Sequence, residues 1–180
     1  MAISIIRNIK GCLFSPVAAF RSSEQAGVTS AFLYFASLLV FHEAFSLLLA
    51  TTLMHGIPIG SRVIGGAAWM GLWGAFLGPI ISALGILALG GAALHVGVFL
   101  MGGRRGLAMT WRVIMYAATP WLLFGWIPLI GSIAVFWMLG NKVIGMRELH
   151  RISTARSAGA VVFAVIIGLV LLLVSLSRIA

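Results

Sequence analysis

The residue pair with the clearest capacity for chemistry is His42-Glu43, near the middle of an apolar stretch over residues 30–53. An imidazole beside a carboxyl group can pass protons or bind a cation, and an ionisable residue inside a bilayer costs at least ~2.5–3.5 kcal/mol on insertion scales. Ser46 lies one helical turn further on and could hydrogen-bond to either residue. The pair therefore predicts either a proton or cation pathway or a buried hydrogen bond that holds helices together, and both interpretations stay open.

Candidate partners for this pair lie in other segments of the chain. Arg112 or Lys142 could approach it from neighbouring helices, and His95 lies in a second apolar stretch. We interpret His95 either as a structural histidine or as a further member of the ion path. A zinc site built from His42 and His95 would have only Glu43 nearby as a further ligand, so no metal is predicted.

The rest of the sequence offers little for enzyme catalysis. It contains no aspartate and three glutamates, and we find no nucleophile–base pair and no glycine loop with lysine for binding phosphate. The segment 102–105, Gly-Gly-Arg-Arg, resembles a phosphate cradle but is read more simply as a basic loop. We therefore predict a non-enzymatic protein without a cofactor. The single cysteine, Cys12, excludes an internal disulfide.

The overall composition indicates what kind of segments hold these residues in position. Apolar residues make up 62% of the 180 and charged residues 8%, whereas a soluble domain carries roughly 25% charged residues. Most of the surface must therefore face the lipid bilayer. The net charge of +9 does not indicate nucleic acid, because the basic residues are spread between apolar segments, as flanking charges of membrane spans are.

Five apolar segments can cross a ~30 Å hydrocarbon core at ~1.5 Å per residue. They cover residues 30–53, 75–101, 106–125, 127–146 and 157–177. A turn is predicted over residues 54–62, and Pro120 is expected to kink the third span. Residues 2–14 read as a short amphipathic helix in the membrane interface, with its basic side toward anionic lipid head groups. The predicted fold is an all-α, five-span transmembrane helix bundle with this N-terminal interfacial helix.

The distribution of basic residues predicts the topology. With five spans, ten basic residues lie on the cytoplasmic side, and only Arg62 and Arg178 lie outside. If residues 63–76 also crossed, with a break at Gly78-Pro79, the count would fall to eight against four. We therefore expect a cytoplasmic amino terminus and an outer carboxyl terminus, with residues 63–74 forming an interfacial or re-entrant helix.

The cytoplasmic loops of this topology contain a candidate docking surface for a cytosolic protein partner or anionic lipid. Glu148 and Arg151 could pair if their segment is helical, and Ser153 is a reasonable cap for the last span. The alternative is a loop whose charges only set the topology. The docking candidates are Arg104, Arg105, Arg147, Glu148, His150 and Arg151.

Three stretches of this sequence resemble the Yip-domain family of small five-span membrane proteins. They are "LFSPVAAFR" (13–21), "LHVGVFLMGGRRGLAMTWRVIMYAATP" (94–120) and "IPLIGSIAVFWMLGNKVIGMRELHRIS" (127–153). They are similar to a Pro-x-x-x-Phe entry to the first span, a glycine turn before a Tyr-Ala-x-x-Pro helix, and an Ile-Pro-x-x-Gly helix. The resemblance is to the compact bacterial and archaeal members, and it implies the plasma membrane of a prokaryote. It also implies two parts, an interfacial segment over 1–28 and a five-span domain over 29–180.

These observations lead to two functional hypotheses. The first is a scaffold, partner-docking or membrane-organising unit that uses its basic cytoplasmic face. The second is a small homo-oligomeric transporter or channel for protons or cations that uses His42, Glu43 and His95.

Overall fold

The computed structural model describes residues 2–53 and 66–177, and all regular structure within those ranges is helical. The helices are α1 (Ala2–Phe14), α2 (Pro16–Ser23), α3 (Val28–Leu53), α4 (Gly66–Leu100), α5 (Gly106–Ala117), α6 (Thr119–Phe124), α7 (Ile130–His150) and α8 (Thr154–Ser177). The turn predicted over 54–62 and the outer residues Arg62 and Arg178 lie outside the described residues.

Within residues 2–53 and 66–177, three helices are long and apolar enough to cross a membrane. The qualifying segments are Val28–Ala50 in α3, Gly74–Leu100 in α4 and Thr154–Val174 in α8. Helices α5 and α6 are each too short to qualify alone, and α7 contains Lys142, Arg147 and Glu148. The chain is thus an all-helical, multi-pass membrane protein.

The long segments alternate in direction about one shared end of the bundle, which we call the arginine end. Glu24, just before α3, contacts Arg105, just before α5, and Arg151, just after α7. Gly97 near the end of α4 meets Ala160 near the start of α8. Helices α3, α5–α6 and α8 therefore lead away from the arginine end, and α4 and α7 lead toward it.

Helix α4 is continuous over 35 residues and includes Pro79 in its interior. The sequence predicted a separate interfacial or re-entrant helix over residues 63–74, whereas residues 66–74 belong to the same helix as the span. The chain also does not break at Gly78-Pro79. At ~1.5 Å per residue α4 extends about 52 Å, which exceeds the hydrocarbon core, and one continuous helix cannot cross twice.

Glycine terminates α4 at the arginine end. Gly102 has a φ of +91°, and the Gly103 amide donates to the Val98 carbonyl at 2.9 Å. This is the hydrogen-bond pattern of a Schellman cap, which favours glycine because its φ is positive. The Gly-Gly segment that resembles a phosphate cradle is therefore a helix terminus.

The third predicted span is interrupted two residues before Pro120. Proline has no amide hydrogen, so the Tyr116 carbonyl loses its helical donor four residues on. The Thr119 hydroxyl donates to that carbonyl at 2.6 Å instead. The helix is interrupted at Ala118, between α5 and α6, as the sequence predicted for this region.

A second proline separates α1 from α2 and brings the N-terminal helices against the bundle. Pro16 cannot donate to the Cys12 carbonyl, and the Asn141 side-chain amide of α7 donates to it at 3.0 Å. Both Cys12 and Asn141 are 1% exposed. A Cβ on Gly11 would lie 2.9 Å from the Ala19 Cβ, so α1 and α2 turn back closely on one another. The helix expected over 2–14 is present, and its end is packed among other helices.

Replacing Asn141 with leucine should loosen α1 from the bundle, because the Cys12 carbonyl would lose its only described donor. Interhelical hydrogen bonds of this kind contribute ~0.6 kcal/mol on average and up to about 1.7 kcal/mol. The measurement is the rate of maleimide labelling at Cys12, whose thiol pKa is raised to about 11 by burial. Labelling should accelerate in Asn141→Leu and not in Gly140→Leu, which lies on the same helix with open space at its Cβ. Equal rates would show that the amide does not hold α1.

Helix α7 extends further than predicted, to His150, and the loop that follows is short. Arg151 ends the helix in the left-handed conformation, with a φ of 55°. The Arg156 amide donates to the Ser153 hydroxyl at 3.3 Å, so Ser153 caps α8 as the sequence predicted.

Candidate functional site

The carboxylate of Glu24 organises one half of the arginine end. It accepts a hydrogen bond from the Arg105 guanidinium and lies 3.4 Å from Arg151 Nη2. The backbone carbonyl of Glu24 accepts a second hydrogen bond, from Arg112 Nη1 at 2.7 Å. The hydrogen bond from Arg105 holds the pKa of Glu24 below its usual value. Glu24 thereby joins its own segment before α3 to Arg105 before α5, to Arg112 within α5 and to Arg151 after α7.

The carboxylate of Glu148 organises the other half. Arg21 Nε donates to one oxygen at 2.7 Å, and Arg147 Nε donates to the other at 2.9 Å. These contacts, with Arg21 the larger contributor, lower the pKa of Glu148. The predicted pairing of Glu148 with Arg151 is wrong, because Arg151 leaves the helical conformation and turns toward Glu24.

The docking candidates predicted from sequence do gather at this end, but in different environments. Arg105, Arg147 and Arg151 are engaged by the two glutamates. Arg104 is exposed, and its guanidinium lies 4.0 Å from the centre of the Phe99 ring. His150 is 3% exposed, so it lies beneath the face rather than on it.

His150 instead belongs to a hydrogen-bonded chain inside the arginine end. The Thr110 hydroxyl lies 2.8 Å from His95 Nδ1 and 3.1 Å from His150 Nε2. A hydroxyl has one hydrogen, so one of the two imidazoles must donate to it. Burial lowers the pKa of His150 to about 4, and this imidazole is neutral near pH 7. These hydrogen bonds between His95, Thr110 and His150 join α4, α5 and α7.

The pair His42-Glu43 lies apart from that chain, at a cavity of about 440 Å³ within the bundle. His42 is 8% exposed, its Nδ1 lies 3.3 Å from the Leu122 carbonyl, and its ring lies 5.6 Å from that of Trp121. Lys142 of α7 lines the same cavity.

The structure thus separates the residues proposed for an ion path. Lys142 lines the same cavity as the pair but forms no described ion pair with Glu43, whereas Arg112 bonds to Glu24 at the arginine end. Among the described residues, Ser46 forms no hydrogen bond with His42 or Glu43. His95 contacts Thr110 and does not line the cavity. His42 and His95 do not meet, and the described part of the chain shows no cluster of three or more histidine, cysteine or acidic ligands.

Two residues that the sequence did not single out carry much of this arrangement. Glu24 stood out only as one of three carboxylates, and Thr110 as an ordinary polar residue in an apolar helix. Glu24 could have been singled out because carboxylates are scarce in this chain. With three carboxylates and twelve basic residues, each carboxylate is expected to attract several arginines. Thr110 carried no such signal, since its role depends on the approach of α4 and α7.

The family model described as the Yip1 domain matches residues 10–176. No curated protein and no solved structure matches the chain significantly.

Proposed function

Since this chain belongs to the Yip1 domain family, we propose that it is a non-enzymatic scaffold whose arginine end is a cytoplasmic contact surface. The observation that supports this most is the excess of arginine there. Seven arginines and two glutamates lie at this end, and the glutamates form ion pairs with four of the arginines. The arginines are Arg21, Arg104, Arg105, Arg112, Arg147, Arg151 and Arg156.

The proposed topology has five spans, formed by α3, α4, α5 with α6, α7 and α8. The alternating directions of these five segments support it, and α4 runs unbroken where a sixth crossing would need a turn. The arginine end is then cytoplasmic by the positive-inside rule. We assign residues 1–28 to an interfacial segment and residues 29–180 to the five-span domain. The proposed location, the plasma membrane of a prokaryote, rests on the resemblance to compact family members.

The contact surface needs basic side chains that are free to meet a partner. Arg104 and Arg156 are exposed, and neither forms an ion pair with a described carboxylate. Their guanidinium groups suit anionic lipid head groups or an acidic segment of a cytosolic protein. Arg105 and Arg147 are less suitable, since their charges are already balanced by glutamates.

Reversing the charge at Arg104 and Arg156 together should weaken binding to anionic membranes more than tenfold. Each basic residue near such a surface contributes ~1 kcal/mol, and reversal replaces attraction with repulsion. The measurement is binding of liposomes containing phosphatidylglycerol to the protein held in phosphatidylcholine nanodiscs. Binding should also fall as salt rises.

The matched control is Arg178→Glu, which the proposed topology places on the opposite side. It should leave liposome binding unchanged. Reversal of Arg105 is avoided because it would break the contact with Glu24. If the Arg104→Glu/Arg156→Glu variant binds as well as the unmodified protein, the arginine end is not the contact surface.

The cavity supports the second candidate, a small oligomeric transporter or channel for protons or cations. His42, Glu43 and Lys142 line one space inside the bundle. Proton flux from loaded proteoliposomes should then fall in Glu43→Gln. Equal flux in the two proteins would remove this candidate.

A further inference from the structure

The cavity beside His42 has a size and a lining that suit an apolar chain. Its volume of about 440 Å³ falls within the roughly 300–1,000 Å³ of small-molecule sites. Apolar side chains form most of its lining, and aliphatic ones from α4, α7 and α8 are the largest group among them. These include Ile86, Leu87, Leu139, Val161 and Val165.

One end of this apolar space holds a cation without a described partner. Lys142 is half-buried and lines the cavity, and no described carboxylate or carbonyl forms a hydrogen bond or ion pair with its ammonium group. Glu43 lines the same cavity but lies beyond the 4.0 Å of an ion pair. An ammonium group within the depth of a bilayer is costly without a counter-ion, so an anion at this point would be favoured.

The polar groups are arranged along the length of the cavity. Lys142 lies about two turns before the end of α7, roughly 12 Å from the arginine end at ~1.5 Å per residue. Trp121 lies about four turns after the start of α5, so it is deeper by roughly 10 Å. An amphiphile with its head at Lys142 would therefore carry its chain past Trp121.

We propose that this cavity binds a single fatty-acyl chain with an anionic head group, the head on Lys142 and the chain between α4 and α8. The site goes beyond the contact surface at the arginine end and does not depend on it. The carboxylate of a free fatty acid and the phosphate of a membrane phospholipid share the required chemistry.

Two glycines of α4 provide a substitution that fills the cavity and a matched control. Gly90 lines the cavity, and a Cβ there would meet nothing within 4 Å. Leucine at position 90 would therefore fill the space without a backbone clash. Gly85, on the same helix, also has open space at its Cβ but does not line the cavity. Gly85→Leu is thus the matched control for Gly90→Leu.

The experiment uses the full chain in detergent and 9,10-dibromostearate as the probe, because bromine quenches nearby tryptophan emission. Binding at the site should quench Trp121 saturably. The saturable component should disappear in Trp121→Phe and Gly90→Leu and persist in Gly85→Leu. In Lys142→Met the affinity for dibromostearate should fall at least about tenfold. It should then approach the affinity of the corresponding brominated alcohol, which carries no negative charge.

Brominated phosphatidylglycerol in a second arm distinguishes a phospholipid chain from a free fatty acid. The proposal is overturned if neither probe gives a saturable component, or if that component persists in Trp121→Phe. It is also overturned if Gly90→Leu binds as Gly85→Leu does, or if Lys142→Met binds as the unmodified protein does. Circular dichroism of each variant checks that the helices are intact.

Discussion

Replacing Gly97 with leucine should cause a large drop in the thermal midpoint of the protein. A Cβ at this position would lie 2.9 Å from the Ala160 carbonyl oxygen and 3.0 Å from Phe163 Cδ1. A backbone carbonyl cannot move aside as a side chain can, so α4 and α8 must separate. Overpacking costs ~1–3 kcal/mol and occasionally more, and we expect about 3 kcal/mol.

The measurement is thermal unfolding in detergent, where about 3 kcal/mol corresponds to a drop of roughly 6–12 °C for a chain of this length. Gly85→Leu is the control, since it adds the same side chain to the same helix in open space. A similar midpoint for both variants would mean that α4 and α8 do not approach as closely as described.

Replacing Gly145 with leucine should have a slightly smaller effect, at the opposite side of the arginine end. Its Cβ would lie 2.6 Å from Val113 Cγ1 and 2.8 Å from Phe20 Cε1. Phe20 is fully buried and Val113 is too, so neither has free space to enter. The expected cost is about 2–3 kcal/mol, because two helices must shift away from α7.

The readout for Gly145→Leu is again the thermal midpoint, compared with Gly140→Leu on the same helix. Because α2 is one of the displaced helices, Arg21 should also lose its contact with Glu148. A double variant that adds Arg21→Ala should then lose little further stability. Full additivity of the two changes would contradict this account of the packing.

The helices were largely predictable from the sequence because their signals are local. The helix predicted over residues 2–14 coincides in extent with α1, the first predicted span ends where α3 ends, and Ser153 caps α8 as expected. Pro120 marked the interruption between α5 and α6 for the same reason.

The positions that sequence reasoning missed depend on contacts between distant segments. Asn141 gave no local sign that it would supply the donor missing at Pro16. Glu148 had two arginines nearby in sequence, and its second partner came from α2. The interior Pro79 argued for a break in α4, but the helix continues, as membrane helices tolerate proline.

The candidate sites also combine features that the local sequence predicts with features that depend on contacts between helices. His42-Glu43 was conspicuous because charge is rare in an apolar stretch, and the pair does line a cavity. The separation of His95 from that pair could not be read from the sequence, since it depends on which face of α4 meets α5. The same holds for Lys142, whose helix could have turned it toward lipid.

The central claim is that the arginine end is a cytoplasmic surface, and sided labelling tests it most directly. Single cysteines at Arg104 and Ile130, in a Cys12→Ala background, mark the arginine end and the start of α7 at the opposite end. A membrane-impermeant maleimide added outside intact cells should label Ile130→Cys and spare Arg104→Cys until the membrane is opened. Labelling of Arg104→Cys from outside, with Ile130→Cys protected, would contradict the claim.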